Sequence, residues 1–370
     1  MEDIKHMTND LRNLNNPNII DMYKIAGKIV GSTIQYIKTL CVKDTSIYEI
    51  CNKGDEYIYM LTELQKIYKN KPIFKGIAFP CCISVNEIVG NYSPINNINE
   101  ILLKTGDIIK IDLGVHINGF VVVGAQTIIL TASETASETV SETVSETARE
   151  PASETASETV SETVSETASE TPTHLIDACK KTLQHVISKI NVGGNSNDIV
   201  QLINNYSKQF GYNIVEGVLS HEMHQYIIDG KNAISSETPL FNFGCNQVYA
   251  IDIILTDSPN GNTTITPLNP TIYKRNLEEN YTLKTTSGRY LLSEISKHYP
   301  VFPFNIKNLI VNNNESTIKL GLYESLKVKP GCNSLLQPYP IVQVKDGFNV
   351  VQFKTTILIN NKGKVIPLVD

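Results

Sequence analysis

The sequence predicts an α+β fold, α/β in broad terms, in which helices pack on an antiparallel sheet. Three observations carry this prediction. Two helical patterns open the chain, apolar strand-like runs follow them, and one of these runs contains a turn typical of a β-hairpin. At 370 residues, with 41% hydrophobic and 19% charged residues, the chain is long enough to bury a large core.

The helices and strands follow from the spacing of apolar residues. Helical spacing predicts a first helix over 19–40 and a second over 46–68, with Ser46 as its N-cap. β-branched and apolar residues over 73–89 predict a strand that Gly and Pro interrupt. Further predicted elements are a helix over 175–190 and strands over 247–255 and 349–359.

The most specific local signal is Asn118-Gly119, between two apolar runs. Both residues tolerate the positive φ that a type I′ turn requires, so we predict a hairpin over 108–126 with a two-residue loop. Position 112 then pairs with 125 and is a diagonal neighbour of 123 on the same face. Two acids there could share metal ions, but the chain has Asp112 at one position and Val123 at the other. A carboxylate in such an apolar strand is costly without a partner.

Residues 131–172 are predicted to be a disordered, low-complexity insert. They repeat Ser-Glu-Thr-(Ala/Val) with a period of four, which drifts around a helix and gives no continuous apolar face. A phosphorylated tail or an acidic decoy for a basic partner is the functional alternative. The insert contains ten glutamates and one arginine, so the remainder has 31 basic and 28 acidic residues. This mild basicity permits a nucleic-acid partner without arguing for one.

The N-terminal residues, the lengths of the apolar runs and the spacing of the cysteines predict where the protein is located and the state of its thiols. Residues 1–18 are predicted to be a flexible N-terminus; its start is polar and lacks the apolar core of a secretory signal. No run reaches 18 apolar residues, so we expect no membrane association and a place in the cytoplasm, the nucleus or both. Seven cysteines without a C-x-x-C pair predict reduced thiols rather than a disulfide or zinc framework.

Six ordered motifs carry a resemblance to a known family: GIAFPCCISVNEIVGNYSP (76–94), KIDLGVHINGF (110–120), EGVLSHEMHQYIIDGK (216–231), VYAID (248–252), TIYKR (271–275) and VQFKTT (351–356). The chain resembles the proliferation-associated protein 2G4 family, the non-peptidase branch of the type 2 methionine aminopeptidase fold. The resemblance implies the "pita bread" fold of the creatinase and aminopeptidase superfamily. It implies one monomeric domain over 19–370 with a type 2 helical insertion over 275–320.

The resemblance also implies where a metal centre has been lost. The peptidases of this fold hold two metal ions with five ligands, and Asp112 and His221 match two of them. Asp252 stands where the peptidases have Glu, while Val123 and Lys354 stand at the two lost ligand positions. Two acids and one ammonium leave a net charge of −1, which cannot hold two divalent ions. We therefore expect no metal, no cofactor and no enzyme activity, and we hypothesise that the Lys354 ammonium bridges Asp112 and Asp252.

Two further patterns argue against catalysis. The positions that match the catalytic histidines near the substrate are Asn91 and Asp229. His221-Glu222-Met223-His224 invites a zinc interpretation, but its histidines are three residues apart and not four as in H-E-x-x-H. We favour the simpler interpretation, in which His221 is a relic held by packing.

Function is then expected from surfaces. The resemblance implies binding to structured RNA, including ribosomes, with roles in growth, translation or transcription control, and possible binding to DNA and protein partners. Two basic segments are the candidate RNA-binding residues: Lys66, Lys69, Lys71 and Lys75, and then Lys274, Arg275, Lys284 and Arg289. Such clusters can neutralise phosphates, although each can also be a solvated face.

Two alternatives to a non-catalytic RNA-associated protein stay open. One is a protein-interaction scaffold that holds a peptide in the degenerate pocket without cutting it. The other is a residual metal-dependent methionine aminopeptidase.

Overall fold

A nine-stranded antiparallel sheet forms the centre of the fold. The computed structural model describes residues 14, 16–65, 73–98, 101–131, 167–217, 220–311, 313–327 and 331–369. The long strands are β1 (Lys75–Val85), β2 (Ile108–Ile117), β3 (Phe120–Ile129), β7 (Gln247–Thr256) and β13 (Val350–Ile359). The short strands are β4 (Asn213–Ile214), β5 (Ser220–Met223), β6 (Ala233–Ile234) and β14 (Val365–Pro367). The strand order is β1-β2-β3-β13-β7-β5-β6, with β14 on β13 and β4 on β7.

Four helices cover this sheet in two groups. Helices α1 (Pro17–Leu40) and α2 (Ile47–Glu63) bury their apolar sides against the hairpin β2–β3 and against β1, respectively. Helices α3 (Thr167–Lys189) and α4 (Ser196–Gln209) form a second apolar cluster with β7 and β13. None of the described helices is long and apolar enough to cross a membrane. The predicted α+β class is confirmed.

The predicted insertion is a small unit with its own apolar core. It contains β9 (Ile272–Arg275), α5 (Thr286–His298), β10 (Phe304–Asn305), α6 (Lys307–Ile310), α7 (Glu315–Leu326) and β11 (Leu336–Pro338). Its sheet has the order β10-β9-β11, and β8 (Thr264–Ile265) pairs separately with β12 (Val342–Gln343). The expected end at 320 is therefore too early, because β11 pairs with β9 across more than sixty residues of chain.

The hairpin has the predicted register. Asn118 has φ 52° and Gly119 has φ 81°, as a type I′ turn requires. Ile117 pairs with Phe120 and Asp112 with Ala125. The Tyr226 ring covers the turn so closely that a Cβ on Gly119 would lie 2.4 Å from it.

Three predicted boundaries differ from the structure. Helix α1 begins at Pro17, capped by Asn16, and Leu14 is buried, so order begins before residue 19; residues 1–13 and 15 lie outside the described residues. Helix α3 begins at Thr167, inside the predicted insert, and it continues through Pro172. Residues 132–166 lie outside the described residues. Helix α2 ends at Glu63 rather than near 68.

All seven cysteines are free thiols, and five of them are buried.

Candidate functional site

Four neighbouring strands bring distant charged residues into one row. Asp112 on β2 lies opposite Ala125 on β3, Ala125 lies opposite Lys354 on β13, and Lys354 lies opposite Asp252 on β7. Residues directly opposite each other in a sheet point to the same face. The order β2-β3-β13-β7 therefore places one ammonium and two carboxylates together.

Lys354 bridges the two acids, as hypothesised from the sequence. Its Nζ lies 2.6 Å from Asp112 Oδ2 and 2.9 Å from Asp252 Oδ2. The side chains are only 13%, 10% and 6% exposed for Lys354, Asp112 and Asp252. Burial opposes the charge of Lys354, but the two carboxylates outweigh burial and raise its pKa. For Asp112, burial is the larger cause and raises the pKa, while the Lys354 ammonium opposes that change.

Lys354, Asp112 and Asp252 form the Lys354 triad. Gln352, which sequence reasoning missed, contacts this triad as a fourth residue. Its Nε2 donates to Asp252 Oδ1 at 2.9 Å and to Asp252 Oδ2 at 3.1 Å, and it lies 3.5 Å from Asp112 Oδ2. It is two residues before Lys354 on β13, so both side chains point to one face. The alternation of side chains along 350–359 does place Gln352 on the same face as Lys354. A glutamine has no charge, however, so the sequence analysis did not single it out.

A threonine hydroxyl on β13 binds the backbone of Val123. Its backbone N–H donates to Thr356 Oγ1 at 2.9 Å, and Thr356 Oγ1 donates to its carbonyl at 2.9 Å. Thr127 Oγ1 makes the same kind of contact with the backbone of Gln352. Threonine hydroxyls thus join β3 to β13 where only one regular residue pair, Lys354 with Ala125, exists. An apolar Val123 next to these strands adds packing and no ligand.

His221 lies on β5 opposite Ala250. Burial, and then the charge of Lys354, lower its pKa, so it is neutral near pH 7. Its Nδ1 has no hydrogen-bond partner within the described part of the chain. The following residues form a strand and not a zincin helix, and Glu222 turns to His224, with 3.5 Å between Oε1 and Nε2.

These residues do not fit a dinuclear metal centre. An ammonium group lies between the two acids, and residue 123, where the resemblance implies a further ligand, is a valine. In the described ranges, no group of three or more His, Cys, Asp or Glu side chains is arranged to hold a metal ion. What the arrangement can do chemically is neutralise buried charge and tie β2, β13 and β7 together.

The two positions that match catalytic histidines have structural contacts. Asn91, at φ 64°, donates from Nδ2 to the Pro340 carbonyl at 2.9 Å. Asp229 forms a salt bridge with Lys274. Neither contact involves the Lys354 triad.

The first predicted basic segment is only partly described. Lys66, Lys69 and Lys71 lie outside the described residues. Lys75 begins β1, its side chain is 12% exposed, and its Nζ donates to the Gln65 carbonyl at 3.2 Å. The ammonium of Lys75 already binds the backbone just after α2. The structure therefore does not favour the prediction that Lys75 binds an RNA phosphate.

The second basic segment divides into two places. Lys274 pairs with Asp229 at 16% exposure, and Arg275 lines a cleft beside it. Lys284 and Arg289 are exposed at the start of α5. The Lys284 N–H donates to Glu324 Oε1 at 3.0 Å, which brings in the end of α7.

The end of α7 adds two residues that the sequence did not suggest. Lys327 Nζ lies 4.3 Å from the centre of the Tyr323 ring, and this ring is 65% exposed. Tyr281 Oη donates to the Lys327 carbonyl at 2.9 Å, which ties this end to the segment before α5. We call Lys284, Arg289, Tyr323 and Lys327 the insertion surface: three cations and one aromatic ring.

Comparison with known proteins places this geometry in a family. The Metallopeptidase family M24 model matches residues 21–173. A solved structure described as a thermophilic Arx1 matches 96% of this chain and 91% of its own, with a TM-score of 0.76 at 20% identity. The fold is thus the pita-bread fold of that metallopeptidase class.

The sequence relatives define the family more narrowly. Proliferation-associated protein A of Dictyostelium discoideum is 34% identical over 95% of this chain and 82% of its own. The Curved DNA-binding protein of Schizosaccharomyces pombe is 33% identical over 95% of this chain and 84% of its own. The chain belongs to the proliferation-associated protein 2G4 family.

Proposed function

We propose that this protein is a non-catalytic member of its family. In our proposal it binds structured RNA, including ribosomes, as a monomer, and acts in growth, translation or transcription control in the cytoplasm, the nucleus or both. The observation that carries the non-catalytic part is the Lys354 ammonium between Asp112 and Asp252. Metal-assisted hydrolysis requires a Lewis acid and a metal-activated water at that place.

Charge supports this view quantitatively. A shell of four carboxylates balances two divalent ions, whereas Asp112, Asp252 and Lys354 sum to −1. A cation that entered beside Lys354 would meet a repulsion of about 4 kcal/mol per unit charge at 4 Å and an effective dielectric near 20. Incubation with Co²⁺ or Mn²⁺ and a short methionyl peptide tests this directly, because release of methionine would revive the aminopeptidase alternative.

The insertion surface supports RNA binding. Its cations can replace counterions on phosphates, and an exposed tyrosine can stack on an unpaired base. Lys284 is exposed to solvent. Lys327 lies over the ring of Tyr323, and both of these residues are also exposed. Lys274 contributes less in this proposal because Asp229 already neutralises it. The name of the fission yeast relative makes DNA a second nucleic-acid partner to test.

Co-sedimentation with ribosomes from a eukaryotic lysate tests the proposal, at low and high salt. The variant Lys284→Glu/Arg289→Glu/Lys327→Glu should lose most binding, while Lys189→Glu, at the exposed end of α3, should bind as wild type does. A Lys274→Glu/Arg275→Glu variant measures the contribution of the other predicted pair. Binding that is independent of salt and of all these charges would refute the electrostatic proposal.

The remnant site does not favour the peptide-scaffold alternative. Its three charged side chains are between 6% and 13% exposed and pair with one another, so a peptide has little access to them.

A further inference from the structure

A second buried ion pair joins the insertion to α2. Asp55 on α2 and Lys307 on α6 lie 2.9 Å apart, measured from Oδ2 to Nζ, and their side chains are 7% and 5% exposed. The other oxygen of this carboxylate, Oδ1, accepts from the Cys81 backbone N–H at 2.9 Å. The pair therefore brings a cation of the insertion next to the contact between α2 and β1.

Two thiols meet at this contact, Cys51 from α2 and Cys81 from β1. Both residues are completely buried. Their side chains share a hydrogen bond in which Cys81 is the donor. Gly54, one turn after Cys51 on α2, leaves room for the second sulfur, because a Cβ at this glycine would lie 2.7 Å from Cys81 Sγ. The sulfurs of the helix and the strand are thus neighbours in the folded chain.

The surroundings of Cys51 favour a thiolate. Burial raises the pKa of its thiol, but the hydrogen bond from Cys81 and the Lys307 ammonium outweigh burial, and the pKa is lowered. The Ser93 hydroxyl donates to the same sulfur and is itself held by Asn305 Nδ2 at 3.0 Å. For Cys81, the bond to Cys51 and burial both raise the pKa. One sulfur is prepared to act as a nucleophile, while its neighbour keeps its proton.

Cys179 shows that burial alone does not create these surroundings. This residue is also completely buried, but its Sγ donates to the Ile253 carbonyl at 3.2 Å. Burial raises the pKa of its thiol. A buried thiol that keeps its proton is a poor nucleophile. Cys179 is therefore the matched control for Cys51 within the same chain.

We propose that Cys51 and Cys81 are a peroxide-sensitive pair of thiols that forms a reversible disulfide. First, the Cys51 sulfur attacks one oxygen of hydrogen peroxide, the O–O bond breaks, and the other oxygen leaves as water with the thiol proton. Cys51 is then a sulfenic acid. Next, the Cys81 sulfur attacks the Cys51 sulfur, the S–O bond breaks, and the hydroxyl leaves as water with the Cys81 proton. The two thiols lose two electrons and two protons, and one peroxide becomes two waters.

Hydrogen peroxide is the oxidant that suits a buried pair. It is small and uncharged, so it enters through the local openings by which the interior of a protein exchanges with solvent. A disulfide between Cys51 and Cys81 would tie α2 to β1 directly beside the ion pair that holds the insertion. This inference goes beyond the proposed RNA function and does not depend on it.

Peptide mass spectrometry on the folded full chain tests the inference. The protein is treated with hydrogen peroxide, remaining thiols are blocked with N-ethylmaleimide, and trypsin digestion follows without reduction. Cys82→Ala is tested beside wild type, because Cys81 and Cys82 lie in one tryptic peptide. In both proteins we expect the peptides that contain Cys51 and Cys81 to be joined by a disulfide that dithiothreitol opens. The free thiol of Cys179 should be lost at least about tenfold more slowly than that of Cys51.

Two further variants test the roles of the neighbours. Cys81→Ala should stop the reaction at the sulfenic acid of Cys51, which a cyclic dione probe labels. Lys307→Met should slow the loss of the Cys51 thiol about tenfold, because the cation no longer favours the thiolate. Thermal melting before oxidation separates this effect from loss of folding. Wild type and Cys82→Ala keep the ion pair and decide the inference even if Lys307→Met does not fold.

Three results would overturn the inference. The first is a free Cys51 thiol after peroxide has oxidised Cys245, which is exposed on the same chain. The second is a disulfide that forms only after urea has unfolded the protein. The third is loss of the disulfide in Cys82→Ala, which would assign the bond to Cys82 instead of Cys81.

Discussion

Replacing Lys354 by Met removes the ammonium and keeps most of the side-chain volume. Asp112 and Asp252 then remain buried, with exposures of 10% and 6%, and face each other without a cation. Breaking a buried ion pair by removing one partner costs about 3–5 kcal/mol. With a specific unfolding entropy of about 2.1 cal/mol/K per residue, this loss corresponds to a decrease of about 4–6 °C in Tm for a chain of 370 residues.

The pH dependence of this loss identifies its cause. In the variant, burial and the neighbouring Asp252 carboxylate raise the folded-state pKa of Asp112 above the unfolded value of about 3.9, because the Lys354 ammonium no longer opposes them. The folded variant therefore binds more protons than the unfolded chain between these values, and its stability recovers as the pH falls. The deficit relative to wild type should be complete at pH 8 and smaller at pH 5.

Thermal and urea unfolding at pH 8 and pH 5 measure the effect. Lys189→Met, at an exposed lysine, is the matched control for the loss of one ammonium. Adding Asp112→Asn and Asp252→Asn to Lys354→Met should restore part of the stability, because no buried charge is then left. The reasoning is refuted if Lys354→Met unfolds within about 0.5 kcal/mol of wild type, or if its deficit is the same at both pH values.

Three further predictions concern other parts of the molecule. Burial lowers the pKa of Lys110 to about 7, and its Nζ donates to two backbone carbonyls. Because the unfolded lysine keeps its proton up to a pH of about 10.4, the stability of wild type relative to Lys110→Met should increase between pH 7 and pH 10. Urea midpoints that differ by a constant amount over this range would contradict this prediction. Gly119→Ala places a Cβ 2.4 Å from the Tyr226 ring at φ 81° and should cost about 2–3 kcal/mol; Gly347→Ala, at φ 86° in open space, is the control, and an equal loss in both would exclude the ring as the cause. Addition of excess Mn²⁺ or Co²⁺ should leave the Tm of wild type unchanged. An increase of several degrees would indicate a bound metal ion, because a ligand that binds only the folded state stabilises it.

Sequence reasoning was most successful where the cause is local. Asn118-Gly119 determines the turn, and the turn determines that Asp112 lies opposite Ala125, because the register of a two-residue hairpin follows from its loop. Ser46 likewise marks the start of α2, where its side chain accepts from Glu49 N. The prediction of helix ends was less successful. The end of α2 was placed five residues too late, because it depends on where its packing partners end.

The candidate site required more than local patterns. The bridge by Lys354 was predicted because the resemblance placed Asp112, Asp252 and Lys354 at neighbouring ligand positions. Gln352 carries no charge, so no pattern marked it before the triad was seen. Tyr323 and Lys327 were also missed, because only the packing of α5 against α7 brings them next to Lys284.

The sequence by itself determined the turn of the hairpin, the main helices and strands, the family resemblance, and the presence of Val123 and Lys354 where the resemblance implies metal ligands. The tertiary structure alone decided that β13 inserts between β3 and β7, which places a lysine from the end of the chain between acids 242 and 102 residues before it. It also decided which lysines are exposed and which are already paired. The physical reason is that short-range preferences are set by neighbouring residues, whereas strand order, burial and ion pairing depend on contacts between segments far apart in the chain.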